Sequence, residues 1–359
     1  MIRVTNAEIA RLAEYFTGAP RVFTTSPLYR ALCPAVAADP FVLALLAGRR
    51  DGQQPSYLLF GAVHHLVLAG ASHPLREFFP SVAGDAARDP ALAGPVLRDF
   101  CRAYHDDLAT LISTRLVQTN VVRRVIALRV ALAAIGGTEP VHLIEVGASA
   151  GMLLLVDRYR YRIGDHTYGP ADARVIVDTE WRGTGPPPDL DRVPPIASRI
   201  GIDLHPVDVT DADRRSWLRA LVWPEDHGEA ALLDAALAEV AADPPTVITG
   251  DAIDVCPELG RTLPAGQPRV VFHAATRMHV PLDRRAAFDA AIDSIGERGP
   301  LWHVWLESAD AQHHGRPALD NGVVACHGPG DDGVRALVRA DGHLHWLAPV
   351  VDLRRVRPS

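Results

Sequence analysis

The stretch VHLIEVGASAG, residues 141–151, joins an apolar run ending near Glu145 to a turn of small residues: Gly147, Ala148, Ser149 and Gly151. Two further apolar runs end in an acid. SRIGIDLHPVD brings Asp203 and then Leu204 to the close of one, and PTVITGDAIDV brings Asp251 and Ala252 to the close of another. A carboxylate beside a turn with almost no side chains suits a ligand that is positively charged and approaches the backbone closely. Unit charges 4 Å apart attract by ~4 kcal/mol at an effective dielectric near 20, and a pyrophosphate would be repelled by as much. The dinucleotide spacing G-x-G-x-x-G would start at Gly147 and require a small residue at 152, where Met152 stands. The spacing acid-x-Gly-x-small-x-Gly is satisfied by Glu145, Gly147, Ser149 and Gly151. S-adenosylmethionine, with its ammonium and sulfonium groups, has the charge such a site asks for. Asp203 would then accept hydrogen bonds from the ribose hydroxyls. Asp251 would reach the adenine amino group, and Ala252 would leave room for the ring. Each acid also has a plainer use: Asp203 precedes a turn with His-Pro, and Asp251 can cap the helix that follows it.

A transferable methyl on a sulfonium needs mainly an acceptor held in line. A base is required only where the nucleophile must lose a proton. His273, in VVFHAATRMH, ends a fourth apolar run, and histidine is the residue type suited to proton abstraction at neutral pH. Arg277 and His279 follow it and are candidates for the acceptor side. Glu307, at the close of LWHVWLE, can orient a polar substrate, and Tyr159 in DRYRYR and Asn120 in VQTN are further substrate candidates. Thr119 or Asn120 also reads as a helix N-cap.

These residues need elements to position them. From Glu139 onward, runs of strand length alternate with helical patterns: VHLIEV, SRIGIDL, PTVITGD, RVVFHA and LWHVWLE as strands, and helices at MLLLVDRYRY, DRRSWLRALV, AALLDAALAEVAA and PLDRRAAFDAAIDSIGE between them. Continuous apolar strands alternating with helices predict a parallel sheet covered on both faces, whose ligands bind beyond the carboxyl ends of the strands. VRALVRADGHLHWLAPV predicts a C-terminal antiparallel hairpin around Ala340-Asp341-Gly342. The Pro- and Gly-rich segment 164–195 reads as an inserted loop or hairpin at a sheet edge. Residues 1–138 show helical spacing throughout, with Ser26-Pro27 as an N-terminal signal and paired glycines after VVRRVIALRVALAAI as a stop. The expectation is therefore an all-α domain over 1–138, placed to cover an acceptor pocket, and an α/β domain over 139–359.

The acids and the glycine turn resemble the class I methyltransferase pattern. SPLYRAL, VQTN, EVGASAG with DRYRY, ASRIGIDLHPVDVTD, WLRALVWPE and VVFHAA together resemble a bacterial family, domain of unknown function 2332. That resemblance covers most of the chain and implies a Rossmann-like methyltransferase fold behind a helical region, without assigning an activity. The family pattern has Asn-Leu-Leu-Trp after the glycine turn, where Leu153 and Val156 replace the Asn and the Trp. The resulting expectation is an S-adenosylmethionine-dependent methyltransferase acting on an O or N atom of a small metabolite. The alternatives are a non-methylating reaction of the same cofactor (cyclisation, rearrangement or elimination) or a non-catalytic version of the fold.

Composition narrows the field of partners. A net charge of −7 and a pI near 6.1 leave no basic surface for nucleic acid. Four scattered cysteines form no C-x-x-C pair, so a reducing, cytoplasmic setting is expected. The sixteen histidines show no metal-ligand spacing, and no metal is expected. No apolar run approaches the ~20 residues of a membrane span. The expected partner is a small-molecule substrate, and the sequence leaves the oligomeric state, a homodimer included, open.

Overall fold

In a computed structural model that describes residues 5–118, 120–308 and 322–350, the apolar runs become strands of one sheet. The strands are β1 Val141–Val146, β2 Arg160–Ile163, β3 His166–Tyr168, β4 Ile176–Trp181, β5 Ile196–Asp203 and β6 Thr246–Thr249. They continue as β7 Arg269–Ala274, β8 Leu301–Leu306, β9 Val323–His327, β10 Arg335–Ala340 and β11 Trp346–Pro349. Their order is β3-β2-β4-β11-β10-β9-β8-β7-β1-β5-β6. Strands β8, β7, β1, β5 and β6 run parallel to one another, while β9 is antiparallel to β8 and β9, β10 and β11 alternate in direction. The architecture is mixed α/β, with a large, mostly parallel sheet and twelve α-helices among the described residues.

Every residue of β1 is buried, as a central parallel strand with both faces covered requires. Ile144, Val146, Ile202 and Val271 of the sheet pack with Cys256 and Leu259 of helix Ala252–Thr262 and with Phe288 and Ile292 of helix Arg285–Ser294. Helix Val125–Ile135 packs against β8, β9 and β10 and stops at Gly136, whose φ of 61° suits glycine.

Two sequence expectations change here. MLLLVDRYRY forms no α-helix: a 3-10 turn, Met152–Leu155, leads through four turn residues, 156–159, into β2. Tyr159 and Tyr161 each bury their rings and donate their hydroxyls to the carbonyls of Met152 and Val156, which favours a compact turn over a continuing helix. The 164–195 segment supplies β3 and β4, which with β2 extend the sheet edge beyond β11. The hairpin forms as β10 and β11, with Ala340 opposite Leu347.

The chain also divides differently from the 138/139 boundary. One unit comprises 1–120 with 210–231, and the other comprises 121–209 with 232–359. The helical unit claims 210–231 by specific contacts. Trp217 and Leu221 lie in its core, Trp217 Nε1 donates to the Leu116 carbonyl at 2.8 Å, and Glu225 accepts from Ser26 Oγ (2.8 Å) and the Leu28 N–H (2.9 Å). Ser26 is at the same time the N-cap of helix Pro27–Ala37. The helix Val125–Ile135, apolar but for Arg129, belongs to the sheet unit and packs against strands β8, β9 and β10. No single helix among the described residues is long and apolar enough to cross a membrane.

Candidate functional site

At the carboxyl end of β1 the chain makes the small-residue turn. Gly147 has φ 80° and Gly151 φ 73°, and Ser149 adopts φ 48°, a conformation uncommon for a residue with a side chain. A Cβ at Gly147 would collide with Thr276, so glycine is required there by close approach as well as by φ. The N–H groups of Gly147 and Ala148 both donate to the Ile202 carbonyl, at 2.8 and 3.2 Å. The turn is thus fastened to the end of β5, the next strand.

Asp203, the last residue of β5, completes that fastening. Its Oδ2 accepts the Ser149 N–H at 2.8 Å and its Oδ1 accepts the His205 N–H at 2.7 Å. The carboxylate of Asp203 therefore shapes the turn before any ligand is considered. Leu204 beside it is 60% exposed, an unusual position for a leucine.

Glu145 differs from every other acid in this region. It is 4% exposed, its side chain makes no hydrogen bond to any described residue, and its Oε2 is shut off from solvent. Burial raises its pKa well above the ordinary carboxyl range, and the nearby Asp203 charge raises it further. A buried carboxyl kept without a partner costs stability, so its presence calls for an explanation such as a ligand.

Asp251 serves as a helix cap. Its Oδ1 accepts the Ile253 N–H at 2.9 Å at the start of helix Ala252–Thr262, and its Oδ2 pairs with Arg284 at 2.9 Å. Ala252 is buried in the first turn of that helix.

His273 does not stand open to a substrate. It is 1% exposed, with Nδ1 2.8 Å from Glu307 Oε1 and Nε2 2.9 Å from His303 Nε2. Strand pairing explains this: β7 and β8 run parallel with Val271 opposite His303 and His273 opposite Trp305, so the two imidazoles meet diagonally. The expectation of an accessible base at 273 gives way to a buried network. Glu307 anchors it, since Oε1 also accepts the N–H groups of Thr276 (2.8 Å) and Arg277 (2.9 Å). Burial alone would raise the Glu307 pKa, but His273 and these two N–H groups outweigh it and hold the carboxyl below its ordinary value. Its Oε2 is buried without a partner.

The remaining substrate candidates have structural places. Arg277 is 2% exposed and locked by Nε and Nη2 onto Asp289, both at 2.7 Å. Tyr159 is a core residue bonded to the Met152 carbonyl. His279 is exposed at the end of the 3-10 turn Arg277–His279. Asn120 belongs to the helical unit, where its Nδ2 donates to the Gln118 carbonyl; Thr119, the other N-cap candidate, lies outside the described residues.

Thr276 is the positioning residue that sequence inspection does not single out. Its Oγ1 donates to the Val146 carbonyl at 3.2 Å and it fills the space left by Gly147, while Ala275 before it takes φ 50°. Two αL residues with side chains, Ser149 and Ala275, thus stand in the loops leaving adjacent strands β1 and β7. Such strain concentrates at functional sites. A cavity of about 540 Å³ lies elsewhere, along β2 and β4, with Arg123, Arg162, Asp178 and Glu180 in its lining. Its charges are already paired: Arg162 with Asp178, and Arg123 with the Asp178 carbonyl. Chemical need therefore places the candidate site at the carboxyl strand ends and not at this cavity.

A family of uncharacterized proteins conserved in bacteria, DUF2332, matches residues 16–348. The chain belongs to the DUF2332 family. No curated protein matches it. For this DUF2332 protein the match spans both units and includes the glycine turn, all three acids at the ends of β1, β5 and β6, and Glu307.

Proposed function

We propose that this DUF2332 protein binds S-adenosylmethionine at the carboxyl ends of β1, β5 and β6 and transfers its methyl group to an O or N atom of a small molecule. Glu145 is the observation that carries the reading. A carboxyl buried without a partner, next to a second acid and a turn that only glycine permits, is suited to an ammonium ion. In this reading Glu145 gives up its proton as it takes the ammonium. Asp203 keeps the turn in shape through Ser149 and is the acceptor for the ribose hydroxyls. Leu204 and Ala252 offer apolar surface to the base. S-adenosylmethionine supplies a methyl group already activated by the sulfonium. The chain's own task is then to hold the acceptor in line and exclude water. The engagement of both His273 nitrogens favours an acceptor that needs no histidine base.

Titration calorimetry of the full chain with S-adenosylmethionine and S-adenosylhomocysteine tests the reading, repeated in buffers of different ionisation enthalpy. Saturable binding with release of a proton is expected, with the affinity rising with pH until Glu145 is ionised in the free protein. Absence of binding to either compound, or binding that Glu145→Gln leaves unchanged, sinks it. Mass spectrometry of candidate acceptors incubated with the protein and S-adenosylmethionine then checks for the added methyl group.

A further inference from the structure

The segment that leaves β7 carries apolar side chains that neither the core nor the adenosyl group of the proposed cofactor accounts for. It is pinned at two points. Thr276 Oγ1 donates to the Val146 carbonyl at the end of β1, and Arg284 pairs at 2.9 Å with Asp251, just past the end of β6. Because β5 lies between β1 and β6, the stretch between the pins passes the carboxyl ends of the strands. Val280, at its middle, packs against the core formed by sheet and helices. Met278 and Leu282, two positions to either side, stay outside that core and are 43% and 80% exposed.

Such exposure is local. The large apolar side chains that stand exposed in the sheet unit, among its described residues, are Ile176, Leu204, Met278 and Leu282. Three of these four follow the carboxyl ends of β5 and β7. Apolar side chains gathered in the open mark a surface that meets a ligand or partner. The arginines around them are engaged within the chain. Arg277 is held by Asp289, Arg284 by Asp251, and Arg285 by the carbonyls of Val280 and Met278. A molecule arriving beside the glycine turn therefore meets apolar surface first. Met278 and Leu282 are already open to solvent, so no part of the chain has to move to admit it.

We infer that Met278 and Leu282 hold the apolar body of the methyl acceptor, which is an alkyl or aryl compound bearing a nucleophilic O or N atom. The inference rests on the methyl-transfer reading and names the substrate class of that site. The acceptor's lone pair forms the bond to the methyl carbon as the carbon–sulfur bond breaks. S-adenosylhomocysteine is released, and the acceptor's proton passes to solvent.

The test titrates the full chain by calorimetry with butanol, hexanol and octanol, the straight-chain primary alcohols, with and without saturating S-adenosylhomocysteine. Saturable binding is expected, tightening about three- to four-fold for each methylene that becomes buried. S-adenosylhomocysteine should not displace it. Leu282→Ser and Met278→Ser should each weaken octanol binding about ten-fold. Leu92→Ser, at an exposed leucine of the helical unit, should leave it unchanged. All three positions are exposed, so the thermal midpoints of the variants should stay close to that of the natural protein. If S-adenosylhomocysteine binds and octanol does not, the inference fails while the cofactor reading stands. If S-adenosylhomocysteine does not bind, that reading fails and takes the inference with it. Octanol binding that the two substitutions leave undiminished, or that S-adenosylhomocysteine displaces, also overturns the inference. So does a dimer that Leu282→Ser turns into a monomer in sedimentation, because a second copy would then cover the segment.

Discussion

The two ends of β1 and β7 are built from opposite charges. At the carboxyl end stand Glu145, Asp203, Asp251 and Glu307, and at the amino end stand His142, Arg269 and, near them, Arg298. Each end contains groups that protein partners satisfy and at least one buried group that they do not. Asp203, Asp251 and Arg298 spend their bonds on turns, caps and carbonyls. Glu145 and Arg269 are buried without a counter-charge, one acidic and one basic. Charge alone therefore does not mark a ligand site in this sheet. Burial without a partner is what sets Glu145 and Arg269 apart, because a carboxylate that already holds the backbone together explains itself by doing so.

The largest effect is expected where the carboxyl end depends on shape. Gly147→Ala forces a side chain into φ 80° and into Thr276. The left-handed conformation costs about 1–2 kcal/mol and overpacking about 1–3 kcal/mol. A loss of about 2–5 kcal/mol should appear in denaturant unfolding of the sheet unit. A variant as stable as the natural protein would mean that the turn is not held by Thr276.

Glu145→Gln separates ligand binding from stability by moving them in opposite directions. Binding of S-adenosylhomocysteine should weaken by about 1.5–3 kcal/mol, roughly ten- to a hundred-fold, through loss of a charge-assisted bond. The unliganded protein should become more stable. A carboxyl whose pKa is raised on folding contributes stability below its unfolded pKa and loses it as pH rises toward the folded one. The advantage of Gln should therefore grow with pH, by about 1.4 kcal/mol per unit, from the ordinary glutamate range until Glu145 ionises. Denaturant midpoints between pH 5 and pH 9 check the sign. A pH-independent difference would show that Glu145 has an unseen partner.

How far the sequence discloses this contrast differs between fold and site. The five central strands are legible because continuous apolar runs of strand length leave few alternatives, and the hairpin because Ala340-Asp341-Gly342 sits between alternating runs. The helix expected over MLLLVDRYRY fails because Tyr159 and Tyr161 are oriented by bonds to carbonyls earlier in the chain, which apolar spacing does not encode. The division into units is hidden for a similar reason. The claim of the helical unit on 210–231 rests on Trp217 and Glu225, whose partners are about a hundred and two hundred positions away. At the site, the positions of Glu145, Asp203 and Asp251 at strand ends are readable, but which of them lacks a partner is not. Likewise nothing in VVFHAATRMH shows that His273 meets His303, because that depends on the register of β7 against β8.

Asp203→Asn sharpens the middle of the comparison. An amide can accept from only one of the Ser149 and His205 N–H groups and presents a donor to the other. The unpaired group should cost about 1–3 kcal/mol. Because the Ser149 bond shapes the turn, ligand affinity should fall together with stability, in contrast to Glu145→Gln. Calorimetry and unfolding on the same preparation decide it. Affinity lost without stability would make Asp203 a ligand group first and a turn-holder second.

The smallest effect is expected at Asp251, the acid whose partners are all protein. Both of its oxygens are committed, Oδ1 to the Ile253 N–H and Oδ2 to Arg284. The ion pair is partly exposed, and pairs of that kind contribute about 0–1 kcal/mol. The cap is worth about 1 kcal/mol. Asp251→Ala should therefore lower stability by little more than the cap and change S-adenosylhomocysteine affinity by less than about three-fold, or well under 1 kcal/mol. A ten-fold loss of affinity would overturn the rule drawn from the sheet ends. It would mean that a carboxylate fully engaged by its own chain can release Arg284 and turn to a ligand, so that a satisfied acid and an unsatisfied one serve the site alike.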